Sequence, residues 1–448
     1  MALTSALGQF IADLSSNRVP DEAVRIARMG FIDCIGTMIV GRNEPCAQIL
    51  KGVLAPGTGP ATLYFSGEQS PGPEAGWING TAAHALDYDD VSLRGHPSTV
   101  LVPAILAEAE VLGASGRDML IAYIAGYETW AELVRRDVPM YHQKGFHPTG
   151  IFGAVGAAAA CAKLRKLDAN HTAIAIAIGA SQSSGIMSNF GTMTKPFHAG
   201  KAAHSGIMAA RLAEAGLTAN TDALEHPQGF LSAVSPENNP DRAGDGELGE
   251  DWAIIRHGLS IKKYPACYGT HRAIDAMLDL VEAHQVKPED VRKVSVHFSS
   301  LTSNVLRNRQ PDTGLAAKFS MEFAMASGLI AHRVSLAELT DSFVQRKDVQ
   351  DTMRLVERDL TDETDEANPG SSPWEQVKIE LVSGQVLESE RVTRARGHAE
   401  RPLTDSQLHE KFEDCLTSSG SEIPADVLFG RLQSMQSISA RELTAGHC

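Results

Sequence analysis

Hydrophobic residues in the first 260 positions recur mainly at helical spacing. Asp21 can cap a helix whose apolar positions, among them Ala27 and Phe31, lie three or four residues apart. Similar patterns begin at Ser98 and Ser115. These patterns predict a succession of amphipathic and buried helices.

Small residues dominate one of the predicted helices. The run at 149–164, TGIFGAVGAAAACAKL, allows helix backbones to approach closely, which places it at the centre of a bundle. The run IAIAIGASQSSG from Ile174 alternates as a strand does, but its alanines favour a helix.

The pattern changes near residue 260. Val294, Val296 and Phe298 alternate with polar residues, as in a half-buried strand. A second alternating run at 377–381 is followed by the turn SGQ, and residues 386–393 are expected to return as its hairpin partner.

Helical patterns flank and separate these strands. They are predicted around 321–331 and 336–356, the segment 359–373 is predicted to be a surface loop, and helices resume after Pro402. The expected fold is therefore mainly α. A large helical domain (1–259) is interrupted by a smaller α+β lid domain (260–402) and completed by a C-terminal helical return (403–448).

Composition narrows the classes of function. The 448 residues carry a formal net charge of -15, which argues against nucleic acid or an anionic membrane as a partner. The N-terminus lacks the features of a signal peptide, and the most apolar early stretch is far shorter than the roughly 20 residues of a membrane span. The six cysteines have no zinc-ligand spacing. We expect a soluble, cytoplasmic protein with free thiols.

Four polar segments interrupt the apolar pattern. The first, HALDYDDVSLRGHPS at 84–98, contains Asp87 and His96 just before a helix. The second, KGFHPTG, contains His147 before the small-residue helix. Solvated loops with structural histidines would explain both segments. A carboxylate and imidazoles beside helix N-termini, where the dipole favours anions, would also explain them.

The other two segments supply most of the cations. SNFGTMTKPFHAGKAAHSG at 188–206 carries Lys195 and His198, but it lacks the spacing of a phosphate-binding loop. SIKKYPACYGTHRAIDA at 260–276 lies at the predicted domain junction, where ligand sites are common. Its candidates for substrate binding are Lys262, Lys263, Tyr268 and Arg272, and His198 of the preceding segment is a further candidate for this role.

Together these segments suggest a site for a small polycarboxylate. Removing a proton next to a carboxylate creates charge that lysines can stabilise, and a histidine can transfer the proton near neutral pH. No GxSxG or HExxH motif suggests a different chemistry.

The same segments resemble the MmgE/PrpD family over about residues 6–432. The similar pieces are NGTAAHALDYDD, GHPS, FHPTG, TKPFHAGKAA and KKYPACYGTH. The family includes 2-methylcitrate dehydratases, cis-aconitate decarboxylases and iminodisuccinate epimerase. The resemblance implies a helical domain with a lid, homodimers, a di- or tricarboxylate substrate and no metal or other cofactor. It implies catalytic roles for Asp87, His96, His147, Lys195 and Lys262.

The chain departs from the decarboxylase branch at two positions. Val91 replaces a threonine of that branch, and Phe323 replaces a tyrosine. Both departures weaken the decarboxylase interpretation and leave dehydration and epimerisation open. We expect first a dehydratase that acts on a hydroxy-polycarboxylate related to 2-methylcitrate. The alternatives are an epimerase of an iminodisuccinate-like diacid, a cis-aconitate-type decarboxylase and, last, a non-catalytic binding protein.

Overall fold

The computed structural model describes residues 2–137, 141–244, 248–366 and 370–445. The chain forms two compact units. The first contains the chain up to Ile261 and again from Asp405, and the second is Lys262–Thr404. Helices predominate, so the prediction of a mainly α protein is confirmed. The lid role of the second unit stays a prediction.

The N-terminal part of the first unit is a helical bundle. A short antiparallel hairpin, β1 (Ala61–Leu63) and β2 (Glu68–Ser70), was not expected from the sequence. The helices are α1 (Leu3–Asp13), α2 (Asp21–Gly41), α3 (Pro45–Leu54), α4 (Gly72–His84), α5 (Ser98–Leu112), α6 (Gly116–Arg135), α7 (Pro148–Leu164), α8 (Ala169–Ser181), α9 (Thr194–Glu214), α10 (Phe230–Val234) and α11 (Ala253–His257).

Helix α7 is almost wholly buried and packs against α6, α8 and α9. Its small residues permit this packing. At Gly206 of α9, an added Cβ would lie 2.3 Å from the Cβ of Ala157, so only glycine allows the two helices to approach this closely. The run from Ile174 alternates as a strand does, but it belongs to helix α8, as its alanines predicted.

The second unit combines helices with a small sheet of order β4-β3-β5-β6. Alternate residues of β3, including Val294, Val296 and Phe298, are buried in its core. The elements are α12 (His271–His284), β3 (Val291–Ser299), α13 (Ser300–Val305), α14 (Gly314–Ala317), α15 (Met321–Ala331), α16 (Asp341–Val344), α17 (Lys347–Met353), β4 (Val356–Thr361), β5 (Gln376–Leu381) and β6 (Val386–Glu388).

Two local predictions in the second unit are wrong. The predicted helix 336–356 is broken into α16 and α17, and the predicted loop 359–373 begins inside strand β4. Strand β4 pairs in parallel with β3, and this long-range ladder supplies its backbone hydrogen bonds. The hairpin of β5 and β6 is antiparallel as predicted, although β6 is shorter than 386–393.

The chain returns to the first unit through three helices. They are α18 (Asp405–Ser418), α19 (Ala425–Gln433) and α20 (Ala440–Thr444). Helix α18 packs against α2. Over the described part of the chain, every helix is too short or too polar to cross a membrane.

Candidate active site

The loop between α4 and α5 carries the first part of the candidate site. It begins after His84, the last residue of α4, and ends before Ser98, the first residue of α5. Asp87, Leu93 and Arg94 have positive φ angles of 54°, 49° and 61°. A non-glycine residue in this region costs roughly 1–3 kcal/mol, so the surrounding contacts must hold the loop in place.

Asp89 lies at the centre of this loop and is fully buried. One carboxylate oxygen is 2.9 Å from Nδ1 of His84, and the other is 2.9 Å from Nδ1 of His96. Burial alone would raise the pKa of Asp89, but the two imidazoles hold it well below its usual range. An ionised carboxylate only accepts hydrogen bonds, so this network assigns a proton to both Nδ1 atoms.

As a consequence of this network, each imidazole in its neutral form carries its lone pair on Nε2. Burial lowers the pKa of His84 to about 4, despite the neighbouring Asp89 carboxylate. His84 is therefore neutral at physiological pH. The rings of His84 and His96 are in contact, with centroids 4.4 Å apart.

A lysine from a distant helix completes this side of the site. The Nζ of Lys195, in the first turn of α9, is 2.6 Å from Oδ1 of Asp87. Both side chains are partly exposed, and the ammonium also lies 5.6 Å from the ring centroid of Phe190. The loop and the start of α9 thus bring a carboxylate, a cation and two imidazoles together.

His147 lies immediately before α7, where its backbone N–H donates to the carbonyl oxygen of Gly185 at 3.0 Å. Its Nδ1 is 3.1 Å from Nδ1 of His198, so one of these two atoms donates and the other accepts. Its ring stacks on His84 with centroids 6.0 Å apart. Burial, reinforced by the nearby Lys195 ammonium, lowers the pKa of His147.

The structure thus groups five of the residues chosen from the sequence, Asp87, His96, His147, Lys195 and His198. Asp87 and Asp89 of the loop have different partners. The carboxylate on His96 is Asp89, whereas Asp87 bonds to Lys195.

The remaining predicted residues belong to the second unit. Lys262 and Lys263 are its first two residues, and their role in substrate binding stays a prediction. Tyr268 lines a cavity of about 150 Å³ within this unit together with Arg272. The guanidinium of Arg272 donates to Glu375 at 2.9 Å and to the carbonyl oxygen of Ser372 at 2.8 Å. These bonds give Arg272 a structural role within its own unit.

Sequence reasoning missed His84 and Asp89 as site residues. Both lie in the HALDYDD motif, but four residues and a helix end lie between them, so spacing alone does not predict their contact. The only available signal was the accumulation of ionisable groups in that motif.

The same groups could hold a metal ion. Ligand atoms of His84, Asp87, Asp89 and His96 all lie within 4.8 Å of one another. Such a donor set suits a divalent cation. However, the ammonium of Lys195 already neutralises Asp87, and its charge would repel a cation at this position.

Two family models cover most of the chain. The model of the MmgE/PrpD N-terminal domain matches residues 5–243, and that of the MmgE/PrpD C-terminal domain matches residues 264–428. The chain belongs to the MmgE/PrpD family.

Curated relatives carry one enzyme name. Cis-aconitate decarboxylase of Mus musculus is 26% identical over 439 residues, covering 92% of this chain and 86% of the relative. The Homo sapiens protein of the same name is also 26% identical, covering 92% and 87%. That of Aspergillus terreus is 24% identical over 455 residues, covering 92% of each protein.

Proposed function

We propose that this chain is a metal-independent lyase that transfers a proton at a carbon next to a carboxylate of a small di- or tricarboxylate. The observation that carries the proposal is the Asp89 bridge. It fixes Nδ1–H on His84 and His96 and leaves Nε2 of each able to accept a proton, close to the Lys195–Asp87 pair.

The chemistry of the site follows from these groups. Lys195 binds a substrate carboxylate and stabilises the negative charge that grows on it when the adjacent C–H bond breaks. His96 or His147 accepts that proton on a neutral imidazole nitrogen. In a dehydration, the C–O bond then breaks, and an imidazolium returns a proton to the departing hydroxide as water.

Two observations favour different bond cleavages. The relatives named above favour decarboxylation, in which loss of carbon dioxide replaces loss of water. Val91 and Phe323, which replace a threonine and a tyrosine of the decarboxylase branch, argue against decarboxylation and leave dehydration and epimerisation open. We place dehydration first, because an identity near 25% supports the family more strongly than the substrate.

One assay separates these reactions. Purified protein is incubated with citrate, 2-methylcitrate, cis-aconitate and iminodisuccinate. We expect ultraviolet absorbance from a new conjugated double bond with a hydroxy acid and no carbon dioxide. Release of carbon dioxide from cis-aconitate would establish the decarboxylase instead. Inversion without either product would establish an epimerase, and binding without turnover would contradict an enzymatic function.

Metal independence is tested in the same assay. After exhaustive chelation, turnover should be unchanged, because Lys195 supplies the positive charge that a metal would otherwise provide. Loss of turnover that a single divalent metal restores would show that the His84, Asp87, Asp89 and His96 group is a metal site. Light scattering tests the homodimer that the family resemblance implies.

A further inference from the structure

A buried lysine from the C-terminal return lies beneath the site loop. Lys411 of α18 is only 5% exposed. Its Nζ is 2.5 Å from Oδ1 of Asp33 on α2 and 2.7 Å from the carbonyl oxygen of Tyr88. The ammonium also lies over the Tyr88 ring, 4.1 Å from its centroid.

Stability alone does not account for this arrangement. Removing two charges from water costs several kcal/mol for each ion, and apolar residues of similar volume often replace a buried pair without loss of stability. Asp33 is 2% exposed, so the pair is fully buried in the helical unit. The bond from Lys411 to a backbone carbonyl points to a more specific role.

The position of the Tyr88 carbonyl in the loop indicates what the role of Lys411 is. Tyr88 stands between Asp87, which bonds to Lys195, and Asp89, which bridges the two histidines. A hydrogen bond to the carbonyl oxygen of Tyr88 fixes the peptide plane that joins Tyr88 to Asp89. The positive φ of Asp87, on the other side of Tyr88, makes the loop depend on such outside contacts.

We infer that Lys411 is a positioning residue, held by Asp33, that sets the directions of the Asp87 and Asp89 carboxylates through the Tyr88 carbonyl. Lys411 acts through the loop, and its effect on turnover rests on the proposed function. The role also has a readout that requires no substrate, which is the Nδ1–H hydrogen bond from each imidazole to Asp89.

The test separates positioning from stability with three variants. Lys411→Met removes the cation and leaves Asp33 buried without it, so it should be strongly destabilised. Lys411→Met/Asp33→Leu removes both charges and should recover most of the melting temperature. Lys411→Arg keeps a charged donor and should retain part of the function. Arg165→Met is a matched control, because it removes another partly buried cation, the partner of Glu108, at the opposite end of α7 from His147.

Turnover is measured first. In the double variant, kcat should fall about 10- to 100-fold at a near-normal melting temperature, because small displacements of catalytic groups have effects of this size. Arg165→Met should keep its kcat per folded molecule. A double variant with wild-type kcat and KM would overturn the inference.

Proton NMR gives the second readout. The downfield imidazole N–H signals, assigned by their loss in His84→Asn and His96→Asn, should shift or disappear in the folded double variant and persist in Arg165→Met. If they are unchanged in the double variant, Lys411 does not position Asp89. This result decides the inference even if no polycarboxylate is turned over, in which case only the proposed function fails.

Discussion

At the scale of single residues, one buried carboxylate organises the site. Asp89 bonds to two imidazoles at 2.9 Å each and thereby determines which nitrogen of each ring can accept a proton. The chain also has a similar pair on its surface. Asp168 accepts from Nδ1 of His171 at 2.9 Å at the start of α8, where both side chains are largely exposed. The exposed Asp168–His171 pair can therefore serve as a control in experiments on the buried Asp89 network.

The first prediction identifies the proton-transfer residue. His96→Asn and His147→Asn are compared, and the variant that loses the acid/base group should lose roughly 10²–10⁴ in turnover. The other should mainly lower the melting temperature. His171→Asn is the surface control and should change neither quantity appreciably. Near-normal turnover in both site variants would contradict the histidine assignment and leave Asp87 or a lysine as the base.

The second prediction concerns the bridge itself. Asp89→Asn replaces an acceptor with a group that also donates, so one imidazole loses its Nδ1–H partner. We expect about 1–3 kcal/mol of lost stability, because buried donors become unsatisfied, and a lower kcat with a smaller change in KM. Urea unfolding and steady-state kinetics measure these effects. Asp168→Asn should cost within about 0.5 kcal/mol, as is usual at the surface. An equal loss of stability and of kcat in Asp89→Asn and Asp168→Asn would contradict a special role for Asp89.

At the scale of elements, small residues determine how closely the helices of the bundle pack. Helix α7 contacts α9 along a surface where Gly206 faces Ala157, with no room for a side chain. This packing holds the N-terminal ends of α7 and α9, next to His147 and Lys195, in the same part of the unit. Close helix packing thus supports the geometry of the site.

The third prediction tests this packing with two glycines. Gly206→Val should destabilise the protein by about 1–3 kcal/mol or more, because overpacking forces the backbones apart. Gly52→Ala in α3 is the control. An added Cβ meets no atom within 4 Å there, so the helix should gain roughly 0.5–1 kcal/mol. The free energy of unfolding is measured for both, and equal effects would show that the α7–α9 approach is not tight.

Individual elements also differ in how far the sequence could predict them. Helices α5, α6 and α7 have long apolar or small-residue patterns, so their existence followed from local sequence. Strand β4 did not, because half of its residues are exposed and its hydrogen bonds come from β3, far away in the chain. At the site, motifs identified Asp87 and Lys195, but the choice of Asp89 as the bridging carboxylate depends on loop dihedrals that no spacing rule supplies.

At the scale of the whole molecule, distant contacts tie the two ends of the chain into one unit. Glu110 of α5 accepts from the backbone and hydroxyl of Thr62 at 2.8 and 2.6 Å, and from the hydroxyl of Thr444 at 2.7 Å. The N–H of Gly116 donates to the carbonyl oxygen of Ile438 at 2.7 Å. The first unit is therefore incomplete without the C-terminal helices.

The fourth prediction is a dependence of stability on pH. Burial raises the pKa of Glu128 to about 7, although its carboxylate accepts from the N–H groups of Ala253 and Ile254. A carboxyl whose folded pKa exceeds its unfolded value contributes most at low pH, and this contribution is lost as pH rises through 7. Relative to Glu128→Gln, the wild type should lose about 1–2 kcal/mol between pH 6 and 8.

Urea unfolding at both pH values measures this difference. Glu413→Gln, at an exposed position of α18, is the control and should follow the wild type at both pH values. If the Glu128→Gln variant also follows the wild type, the carboxyl does not titrate in this range.

The C-terminal return has a consequence for synthesis on the ribosome. The second unit is translated between the two parts of the first, and at about 5–20 residues per second this takes roughly 7–30 s. During that interval the nascent chain has already made Asp33 and the 84–98 loop, but not yet Lys411. A ribosome-bound chain that stops before α18 should therefore expose the face of α2 that packs against α18 in the folded protein. Its site loop should also lack the hydrogen bond from Lys411. Chaperone binding to such stalled chains would fall once α18 emerges.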